Sequence, residues 1–409
     1  MTSAVPPTET GPLGRREARL AWGLLFPTLA IVSAVVVLPL LAIFWISFKP
    51  IGLADLRPPA PVVREALRGS GDELRIEYRV RNSSQEERIT GVTLSDVLPE
   101  DVTVVRTDPR CVVDGVRLRC DLGELEGGAR DEVEVFVSAA NEEAAEADAE
   151  ASEPSMTGSG KNILTNFEFT MENFERVFDG REFWGVLGVT MFYTVFGTIG
   201  ALVFGLFAAM LLNKEFRGQG ILRGLYLFPY VAPVIAVAFA WIILFDPFSG
   251  SANALLKQMG VTEGSINFFG ERPLALIMVT VFEIWRYFPL SFLFILARMQ
   301  SIDTDMYEAA DMDGASPFQK FWYLSLPQLL GILSVLFLLR FIWTFNKFDD
   351  IFLLTGGNAG TRTLTVNVYE QAFAVSNIGA GAAVAVVIFC CLILFSVFFF
   401  KYVSREEGL

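Results

Sequence analysis

Charged side chains interrupt two long apolar runs of this chain, and charge in such surroundings is costly enough to mark a functional site. In the first run, Glu283 and Arg286 are three residues apart, so a helix carries them on one face. Guanidinium, ammonium and hydroxyl groups can hydrogen-bond a polyhydroxylated solute, and aromatic rings can stack on its apolar face. The second run places such side chains at helical spacing: Arg340, Trp343, Thr344 and Lys347.

The same charged residues can instead neutralise one another. Glu283, Arg286 and Arg340 have the signs and positions for an ion pair between neighbouring helices. The two arginines also suit an anionic solute such as a sugar phosphate, because the guanidinium fork matches phosphate geometry. The residues alone leave solute binding and mutual pairing open.

Composition excludes several kinds of chemistry. The chain contains no histidine, which rules out histidine-based triads, general bases and metal ligands. It has no Gly-x-x-x-x-Gly-Lys-Ser/Thr loop, so this chain alone cannot hydrolyse ATP. An Asp-x-Asp-x-Asp-Gly calcium loop is also missing from the sequence. We therefore expect no catalytic residue, no metal site and no cofactor, and we do not predict an enzyme.

The composition is that of a membrane protein. The 409 residues include 37 Phe, and the mean hydropathy is +0.46. The formal net charge of −14 is unevenly placed, since much of it lies between Asp72 and Glu153 and describes one polar segment. Membrane lipid is the expected surrounding, and nucleic-acid binding is not predicted.

Six segments are apolar enough to cross a bilayer, which takes about 20 residues. Three arginines precede the first segment, but it is too long for a signal peptide and no cleavage site follows it. We predict that it is a retained helix. The predicted spans are Ala21–Phe48, Trp184–Leu212, Gly224–Phe245, Leu274–Leu296, Leu329–Phe348 and Gly379–Phe400.

Basic residues beside the spans predict the orientation, because such residues concentrate on the cytoplasmic side. With six spans and both termini cytoplasmic, all the basic clusters share that side. We therefore predict a multi-pass membrane protein with both termini in the cytoplasm. The clusters are Arg15, Arg16 and Arg19; Lys214, Arg217 and Arg223; Arg298 and Lys320; and Lys401 and Arg405.

A polar insert between the first two spans has the alternation of half-buried β-strands. Leu74–Val80 alternates apolar and charged residues, and similar segments continue to Asp131–Ser138 with turn residues between them. We predict an extracytoplasmic β-sandwich over 66–140 that resembles immunoglobulin-like repeats. The acidic, Ala-rich and Gly/Ser-rich stretch at 141–165 is predicted to be a flexible linker.

Two of the four cysteines flank a hairpin signal. Cys111 and Cys120 enclose Gly115-Val116, which as a type II′ turn places them directly opposite each other. We predict a disulfide, which requires an oxidising compartment outside the membrane, and two reduced thiols are the alternative. The adjacent Cys390 and Cys391 are predicted to be small lipid-facing or core-facing residues, because neighbouring cysteines seldom bridge.

The segment between the fourth and fifth spans has the signals of two short helices joined by a turn. Ser301 and Asp303 can cap the first helix. Gly314 permits a left-handed turn, and Pro317 suits the first turn of the second helix. Such a segment can present a compact knob to a partner at the membrane surface.

This segment, 301–328, closely resembles the Glu-Ala-Ala (EAA) loop of ABC-importer permeases. In that family the loop docks into a cleft of a cytoplasmic ATPase, so the resemblance implies an ATPase-coupling role. Tyr226–Pro233 is also similar to the Pro-containing third-span entry of sugar permeases, and Pro229 and Pro233 are predicted to bend that helix. The matching residues of the loop are Glu308, Ala309, Ala310, Asp313, Gly314, Ala315 and Pro317.

The resemblance implies an all-α polytopic fold of the type I ABC-importer permease, with a core over 166–401 and cytoplasmic tails at 1–20 and 402–409. It implies import of a carbohydrate, an oligosaccharide or glycoside, by alternating access across a bacterial cytoplasmic (inner) membrane. The implied partners are a second, different permease, two ATPase subunits and an extracytoplasmic solute-binding protein. Segments similar to the maltose-permease sugar site contain Arg286, Tyr287, Leu290, Arg340, Trp343, Thr344 and Lys347.

Alternatives remain at this stage. Maltose permeases carry an external domain at the position of the insert, where it touches the binding protein, so the insert is expected to be a docking platform or else a plain spacer. The solute can also be an anionic sugar phosphate or a polyol. A membrane sensor with a ligand-binding β-domain and an ion-coupled transporter are alternatives of other classes, and the latter predicts inverted repeats that the sequence lacks.

Overall fold

A computed structural model describes residues 12–99, 102–139, 145–147, 149, 152–179 and 181–402. Parts of the predicted tails (1–20 and 402–409), including Arg405, and parts of the predicted linker (141–165) lie outside these residues. The chain divides into two compact units. The first comprises Met1–Asn173 and Ser376–Ala383, and the second comprises Phe174–Val375 and Val384–Leu409.

The first unit contains the first span. Within it, Arg16–Ser47 is long and apolar enough to cross a membrane, as the sequence predicted. The helical pieces are the α-helix Pro12–Val32, the π-helical turn Ser33–Val37 and the α-helix Leu38–Ser47, followed by 3₁₀ turns at Leu53–Leu56 and Gly71–Glu73.

Where the structure describes the insert, it contains eight antiparallel strands: β1 (Pro61–Arg68), β2 (Arg75–Asn82), β3 (Ile89–Val97), β4 (Val102–Thr107), β5 (Cys111–Asp114), β6 (Arg117–Leu125), β7 (Arg130–Ala139) and β8 (Ser155–Gly160). Among the described residues they make two four-stranded sheets, ordered β1-β2-β7-β4 and β5-β6-β3-β8. Both sheets contribute to one apolar core, in which Ile76, Tyr78 and Val80 of β2 pack with Leu94 and Leu118 of the other sheet. This arrangement agrees with the predicted sandwich.

The predicted disulfide is present. Cys111 on β5 and Cys120 on β6 are directly opposite in register and are bonded. Gly115 has a φ of +65°, which a Gly-first hairpin turn requires. Both cysteines are buried in the sandwich core, so the crosslink ties a short edge hairpin to that core.

The predicted boundaries of the insert need correction at both ends. The sandwich begins at Pro61 rather than at residue 66, and Ser155–Gly160, predicted to be flexible linker, pairs with β3 as an edge strand. Low β-propensity concealed this strand. Its glycines are required by packing, because a Cβ on Gly158 would lie 2.8 Å from Ile89 Cγ2.

Buried polar contacts join the sandwich to the end of the first span within this unit. Asp55 accepts hydrogen bonds from Ser84 Oγ (2.7 Å) and from the Gly52 amide (3.0 Å). Gly52 in turn forms a β-bridge with Asn377, just before the sixth span. The buried Lys49 ammonium donates to the Glu168 carbonyl at 2.7 Å. The strands, the first span and the start of the sixth are therefore connected by specific polar contacts.

The second unit contains the remaining spans. Among the described residues of the chain, five helices are long and apolar enough to cross a membrane, and a pair bent by 90° makes a sixth if counted as one span. The bent pair is the predicted third span, which is therefore broken rather than continuous. The long helices are Arg181–Leu212 (second span), Leu274–Gln300 (fourth), Pro317–Lys320 with Phe321–Ser325 and Leu326–Phe345 (fifth), and Ile378–Tyr402 (sixth, shared by the two units).

Shorter helices complete the second unit. The broken third span consists of Gln219–Tyr226 and Phe228–Val231 before the bend and Val234–Leu244 after it. The others are Glu172–Asp179, which begins at the unit boundary, Ser251–Gln258, Thr304–Met312, Asp349–Thr355, Leu364–Tyr369 and the π-helical turn Glu370–Ala374.

The second and fourth spans approach each other closely because glycines line their contact. A Cβ on Gly197 would lie 2.9 Å from Glu283 Cγ, and one on Gly205 would lie 2.6 Å from Ser291 Cβ. Small residues let helix backbones approach where apolar burial against lipid gives little driving force. This close packing brings the second span against Glu283, at the centre of the candidate site.

Candidate functional site

Glu283 is the hub of a buried polar cluster in the second unit. Arg340 on the fifth span donates to its Oε1 at 2.5 Å, and Thr344 donates to the same oxygen at 2.9 Å. Tyr193 on the second span donates to Oε2 at 3.0 Å. Glu283 and Arg340 are 0% and 2% exposed. Three hydrogen-bond donors offset the cost of burying this carboxylate. Because these donors lie on the second and fifth spans, the cluster joins three spans at this point.

Arg286 does not join this pair, although the sequence placed it one helical turn from Glu283. Its guanidinium donates to the carbonyls of Pro229 and Ala232 at the break of the third span, each at 3.1 Å. The pairing predicted among Glu283, Arg286 and Arg340 therefore needs correction, because backbone acceptors occupy Arg286. The ion pair is formed by Glu283 and Arg340.

Two cationic groups lie close to the ring of Tyr287. The Arg340 guanidinium and the Lys347 ammonium each lie 4.5 Å from its ring centroid. Lys347 also donates to the Tyr287 hydroxyl. Cations over a ring face are attracted by its quadrupole. The structure thus brings together five residues of the predicted site: Arg340, Thr344 and Lys347 from the fifth span and its end, with Arg286 and Tyr287 from the fourth.

Two predicted site residues stand apart from these contacts. Trp343 is 52% exposed, and Leu290 is half-buried. An exposed indole one turn from Lys347 can still serve as a stacking surface beside the cluster. Its role stays a prediction.

Two acidic residues were missed by the sequence reasoning. Lys347 Nζ lies 3.1 Å from Asp349 Oδ1 and 3.7 Å from Asp350 Oδ2. Asp350 is completely buried and also lies 4.0 Å from Arg286 Nε. The three-residue spacing from Lys347 to Asp350 was a usable signal. Tyr193 was missed too, and no charge or spacing marks it in an apolar run.

The segment between the fourth and fifth spans folds as the short helix Thr304–Met312, a turn, and the start of the long helix that begins at Pro317 and continues into the fifth span. Asp303 caps Thr304–Met312 by accepting from the Asp305 amide, whereas Ser301 instead donates to the Arg298 carbonyl at the end of the fourth span. Ser316 and Gln319 form a capping box around Pro317, which occupies the first helical position.

The turn between these helices is a Schellman motif. Gly314 has a φ of +75°, and its amide donates to the Asp311 carbonyl. The Ala315 amide donates to the Ala310 carbonyl, which closes the longer ring of the motif. Ala310 and Ala315 are small enough to meet across the turn. In the sequence Asp313-Gly314-Ala315, the glycine therefore supplies the left-handed residue of the turn, and Ala315 supplies the amide that closes its longer ring.

Outside the turn, this segment exposes both acidic and apolar side chains. Glu308 and Asp313 are exposed, and Ala309 lies on the same exposed helix. Met312 is 88% exposed and Phe318 is 71% exposed, on either side of Gly314. Exposed large apolar side chains such as these are available for contact with a partner or with lipid.

Comparison with known proteins identifies the family. The profile described as "Binding-protein-dependent transport system inner membrane component" matches residues 201–406. The chain belongs to this family. It is therefore a permease component of a transporter, and a multi-pass protein of the inner membrane.

Curated relatives of the permease agree with this assignment. "Inner membrane ABC transporter permease protein YcjO" of Escherichia coli K12 is 37% identical over 58% of this chain and 79% of its own length. "Trehalose/maltose transport system permease protein MalF" of Thermococcus litoralis is 32% identical over 56% of this chain and 78% of its own. "Trehalose transport system permease protein SugA" of Mycobacterium tuberculosis is 28% identical over 56% and 73%.

A solved structure supports the fold of the permease. A chain of "a bacterial ABC transporter involved in the import of the acidic polysaccharide alginate" aligns with a TM-score of 0.55 over 60% of this chain and 87% of that chain. The sequence identity is 17%, so the likeness concerns the fold alone. It supports the type I ABC-importer permease fold predicted from the resemblance.

Proposed function

We propose that this permease imports an uncharged carbohydrate, an oligosaccharide or glycoside, through the cluster around Tyr287. The observation that carries the proposal is the charge balance of that cluster. Arg340 pairs with Glu283, Lys347 pairs with Asp349 and Asp350, and Arg286 is occupied by backbone carbonyls. A charge-balanced cluster with the half-buried ring of Tyr287 and the exposed ring of Trp343 beside it suits hydroxyl groups and sugar faces.

Relatives named for trehalose and maltose transport favour the same solute class. An anionic sugar phosphate is the second candidate, since the cluster contains two arginines, but both already have partners. A polyol fits less well, because it has no ring face to stack on Tyr287 or Trp343.

The energy for transport is proposed to come from ATPase subunits that bind the segment 301–328. Glu308 would meet a basic residue of the ATPase, and the exposed Met312 and Phe318 would enter an apolar cleft. The segment directly joins the fourth and fifth spans, which carry Tyr287 and Lys347. Movement of the segment would therefore rock the two helices of the site and expose it alternately to the two sides.

The proposed assembly contains a second permease, two ATPase subunits and an extracytoplasmic solute-binding protein. Six crossings would leave both termini of the permease in the cytoplasm. Arg16 and Lys401 would then lie on the cytoplasmic side, where basic residues concentrate. The same count puts the Cys111–Cys120 disulfide on the oxidising side, which supports this orientation.

The sandwich is proposed to be a docking platform for the binding protein and to be immunoglobulin-like. Two four-stranded sheets over one core support the architecture. The polar contacts made by Asp55 and Lys49 favour a platform over a loosely tethered spacer, because a spacer needs no fixed attachment. A sensor function is disfavoured by membership of a transport family.

The test is ATP hydrolysis by the reconstituted assembly with its binding protein, measured against neutral oligosaccharides and sugar phosphates. Neutral sugars are expected to stimulate hydrolysis, and Lys347→Gln is expected to raise the half-maximal sugar concentration. Lys257→Gln, which removes an exposed lysine bonded to Ser265, is the matched control and is expected to change nothing. Stimulation by sugar phosphates alone would overturn the proposal.

A further inference from the structure

The break of the third span frees a backbone carbonyl. In a continuous helix the Pro229 carbonyl would accept from the amide of residue 233, four positions on. Residue 233 is a proline and has no N–H, so Pro229 O loses its helical donor. Ala232 ends the first part of the helix in an extended conformation with a ψ of 143°, which leaves its carbonyl outside the regular helical ladder.

Arg286 supplies donors to these two carbonyls. Its Nη1 donates to Pro229 O and its Nη2 to Ala232 O, each at 3.1 Å. The two donors of one planar fork therefore bridge the bend from the fourth span. Arg286 is 7% exposed, so water offers the carbonyls little alternative. An unsatisfied buried carbonyl is costly, particularly at membrane depth.

The third nitrogen of the same guanidinium points to a third element. Arg286 Nε has no hydrogen-bond acceptor among the described residues, and Asp350 Oδ1 lies 4.0 Å away. Neither carboxylate oxygen of Asp350 has a hydrogen-bond donor among those residues, although the side chain is fully buried. The charge of Asp350 is therefore balanced by Arg286 and Lys347 at short range without being fixed by hydrogen bonds.

Apolar packing holds the same elements together. Ile351 and Leu354, on the helix that starts at Asp349, share one buried cluster with Val237 and Ala238 from the second half of the third span. The bend, the fourth span and the helix carrying Asp350 thus meet around Arg286. A change in the bend angle must break the hydrogen bonds of Arg286 or move Asp350.

We propose that Arg286 is a positioning residue which, with Asp350, latches the bend of the third span to the fourth span and to the helix that starts at Asp349. This assignment departs from the sugar-ligand role predicted for Arg286. It rests on the proposed function only for its consequence in transport. The latch sets the bend angle with or without solute, and it makes the third span move together with the other two elements during the change of access.

The direct test is the distance across the bend. Spin labels at Ile221→Cys and Ile243→Cys, both exposed positions on either side of the break, report the angle in the assembled transporter in lipid nanodiscs. Cys390 and Cys391 are replaced by Ser, and the Cys111–Cys120 disulfide stays oxidised. No solute is added, so the measurement does not depend on the identity of the substrate.

Arg286→Gln is expected to broaden the distance distribution and lower the maximal uptake rate about tenfold, the size expected for losing one charged hydrogen bond. The half-saturating solute concentration is expected to stay within about twofold, since no solute contact is lost. Arg362→Gln is the matched control. It removes an arginine that pairs with Glu182 and Glu370, away from the bend and from the segment 301–328, and both the distance and the rate are expected to stay at the parent value.

A second variant tests whether the missing amide of residue 233 is the reason that the bend depends on Arg286. Pro233→Ala restores the amide that Pro229 O lacks, so the double variant Arg286→Gln/Pro233→Ala is expected to narrow the distribution again and recover part of the rate. A substrate ligand would not be rescued in this way. If Arg286→Gln fails to assemble, Asp350→Asn, which removes the carboxylate beside Arg286 Nε, is measured instead, and a distribution identical to the parent contradicts the latch.

The outcomes separate this proposal from the proposed function. An unchanged distance with a raised half-saturating concentration in Arg286→Gln would make Arg286 a solute ligand and overturn the latch. A broadened distance in a transporter that no carbohydrate stimulates would support the latch and reject the carbohydrate assignment.

Discussion

Arg340 donates to Glu283 at 2.5 Å and joins the fifth span to the fourth through a buried ion pair. Thr344 and Tyr193 complete the hydrogen bonds of the carboxylate. Replacing only one partner of such a pair lowers the stability of the protein, because the charge of the other partner is left buried and unpaired.

The first prediction concerns this pair. Glu283→Gln or Arg340→Gln alone is expected to destabilise the permease by about 3–5 kcal/mol, whereas the double variant recovers most of that loss. Thermal unfolding of the four proteins in detergent gives the double-mutant cycle. Arg362→Gln, which breaks more exposed ion pairs with Glu182 and Glu370, is the control and is expected to cost about 1 kcal/mol or less. Additive single losses would show that the two residues are not coupled.

The second prediction concerns the contact of the second and fourth spans. Gly205→Ala puts a Cβ 2.8 Å from the Phe292 amide nitrogen, a backbone atom that cannot rotate away. We expect a loss of about 1–3 kcal/mol from overpacking. Gly188→Ala on the same helix meets nothing within 4 Å and is expected to be neutral or stabilising. Equal unfolding temperatures for the two variants would refute the close packing.

The third prediction concerns the turn at Gly314 in the segment 301–328. Gly314 has a φ of +75° with open space around its Cβ position, so substitution acts through backbone strain rather than collision. Gly314→Val is expected to cost about 1–2 kcal/mol locally and to reduce solute-stimulated ATP hydrolysis. Gly314→Asn tolerates the left-handed region and is expected to keep most of the activity. Equal losses in both variants would point to a need for glycine other than its backbone freedom.

The fourth prediction concerns pH. Glu65 on β1 faces inward opposite Tyr78, beside Asp96, which accepts from the Tyr78 hydroxyl at 2.6 Å. Burial, followed by the charge of Asp96, raises the pKa of Glu65 from 4.5 to about 7. A carboxyl whose pKa is raised on folding makes the folded state lose stability as pH rises from about 4.5 to about 7.

Glu65→Gln is therefore expected to stabilise the sandwich at pH 8 and to have little effect at pH 4.5. Hydrogen-exchange protection of β2, compared with the parent at the same pH, measures the difference. Glu86→Gln in an exposed loop controls for the loss of one negative charge. A stabilisation that is equal at both pH values would mean that Glu65 is not charged at pH 8.

The fifth prediction concerns the attachment of the sandwich. Asp55→Ala removes the acceptor of Ser84 and of the Gly52 amide, and each bond to a buried carboxylate is worth about 1.5–3 kcal/mol. Faster hydrogen exchange is expected at residues 51–56 while the strands stay protected. Asp114→Ala in the exposed hairpin is the control. Unchanged exchange at 51–56 would show that Asp55 does not hold the joint.

Local features of the permease were predictable from sequence because neighbouring residues determine them. Asp303, Gly314 and Pro317 occupy the cap, turn and first-helical positions that their chemistry favours. Cys111 and Cys120 face each other because a two-residue turn fixes the register of the hairpin.

Features that depend on distant partners were not predictable. Arg286 turns from Glu283 to carbonyls 54 and 57 residues away, which helical spacing cannot show. The composition around Gly158 and Gly160 predicted a flexible linker. The two glycines lie in a strand instead, at positions where Ile89 and Pro59 leave no room for a side chain. In each case tertiary contact outweighs the local preference.

The last strand of the sandwich returns the chain to where the first strand begins. A Cβ on Gly160 would lie 2.9 Å from Pro59 Cβ, and one on Gly158 would lie 3.3 Å from Pro61 Cγ. The entry and exit of the insert are therefore side by side, as in domains that tolerate insertion into a host. Because the chain leaves the sandwich at nearly the point where it entered, removing the domain would leave two chain ends that a short link can join.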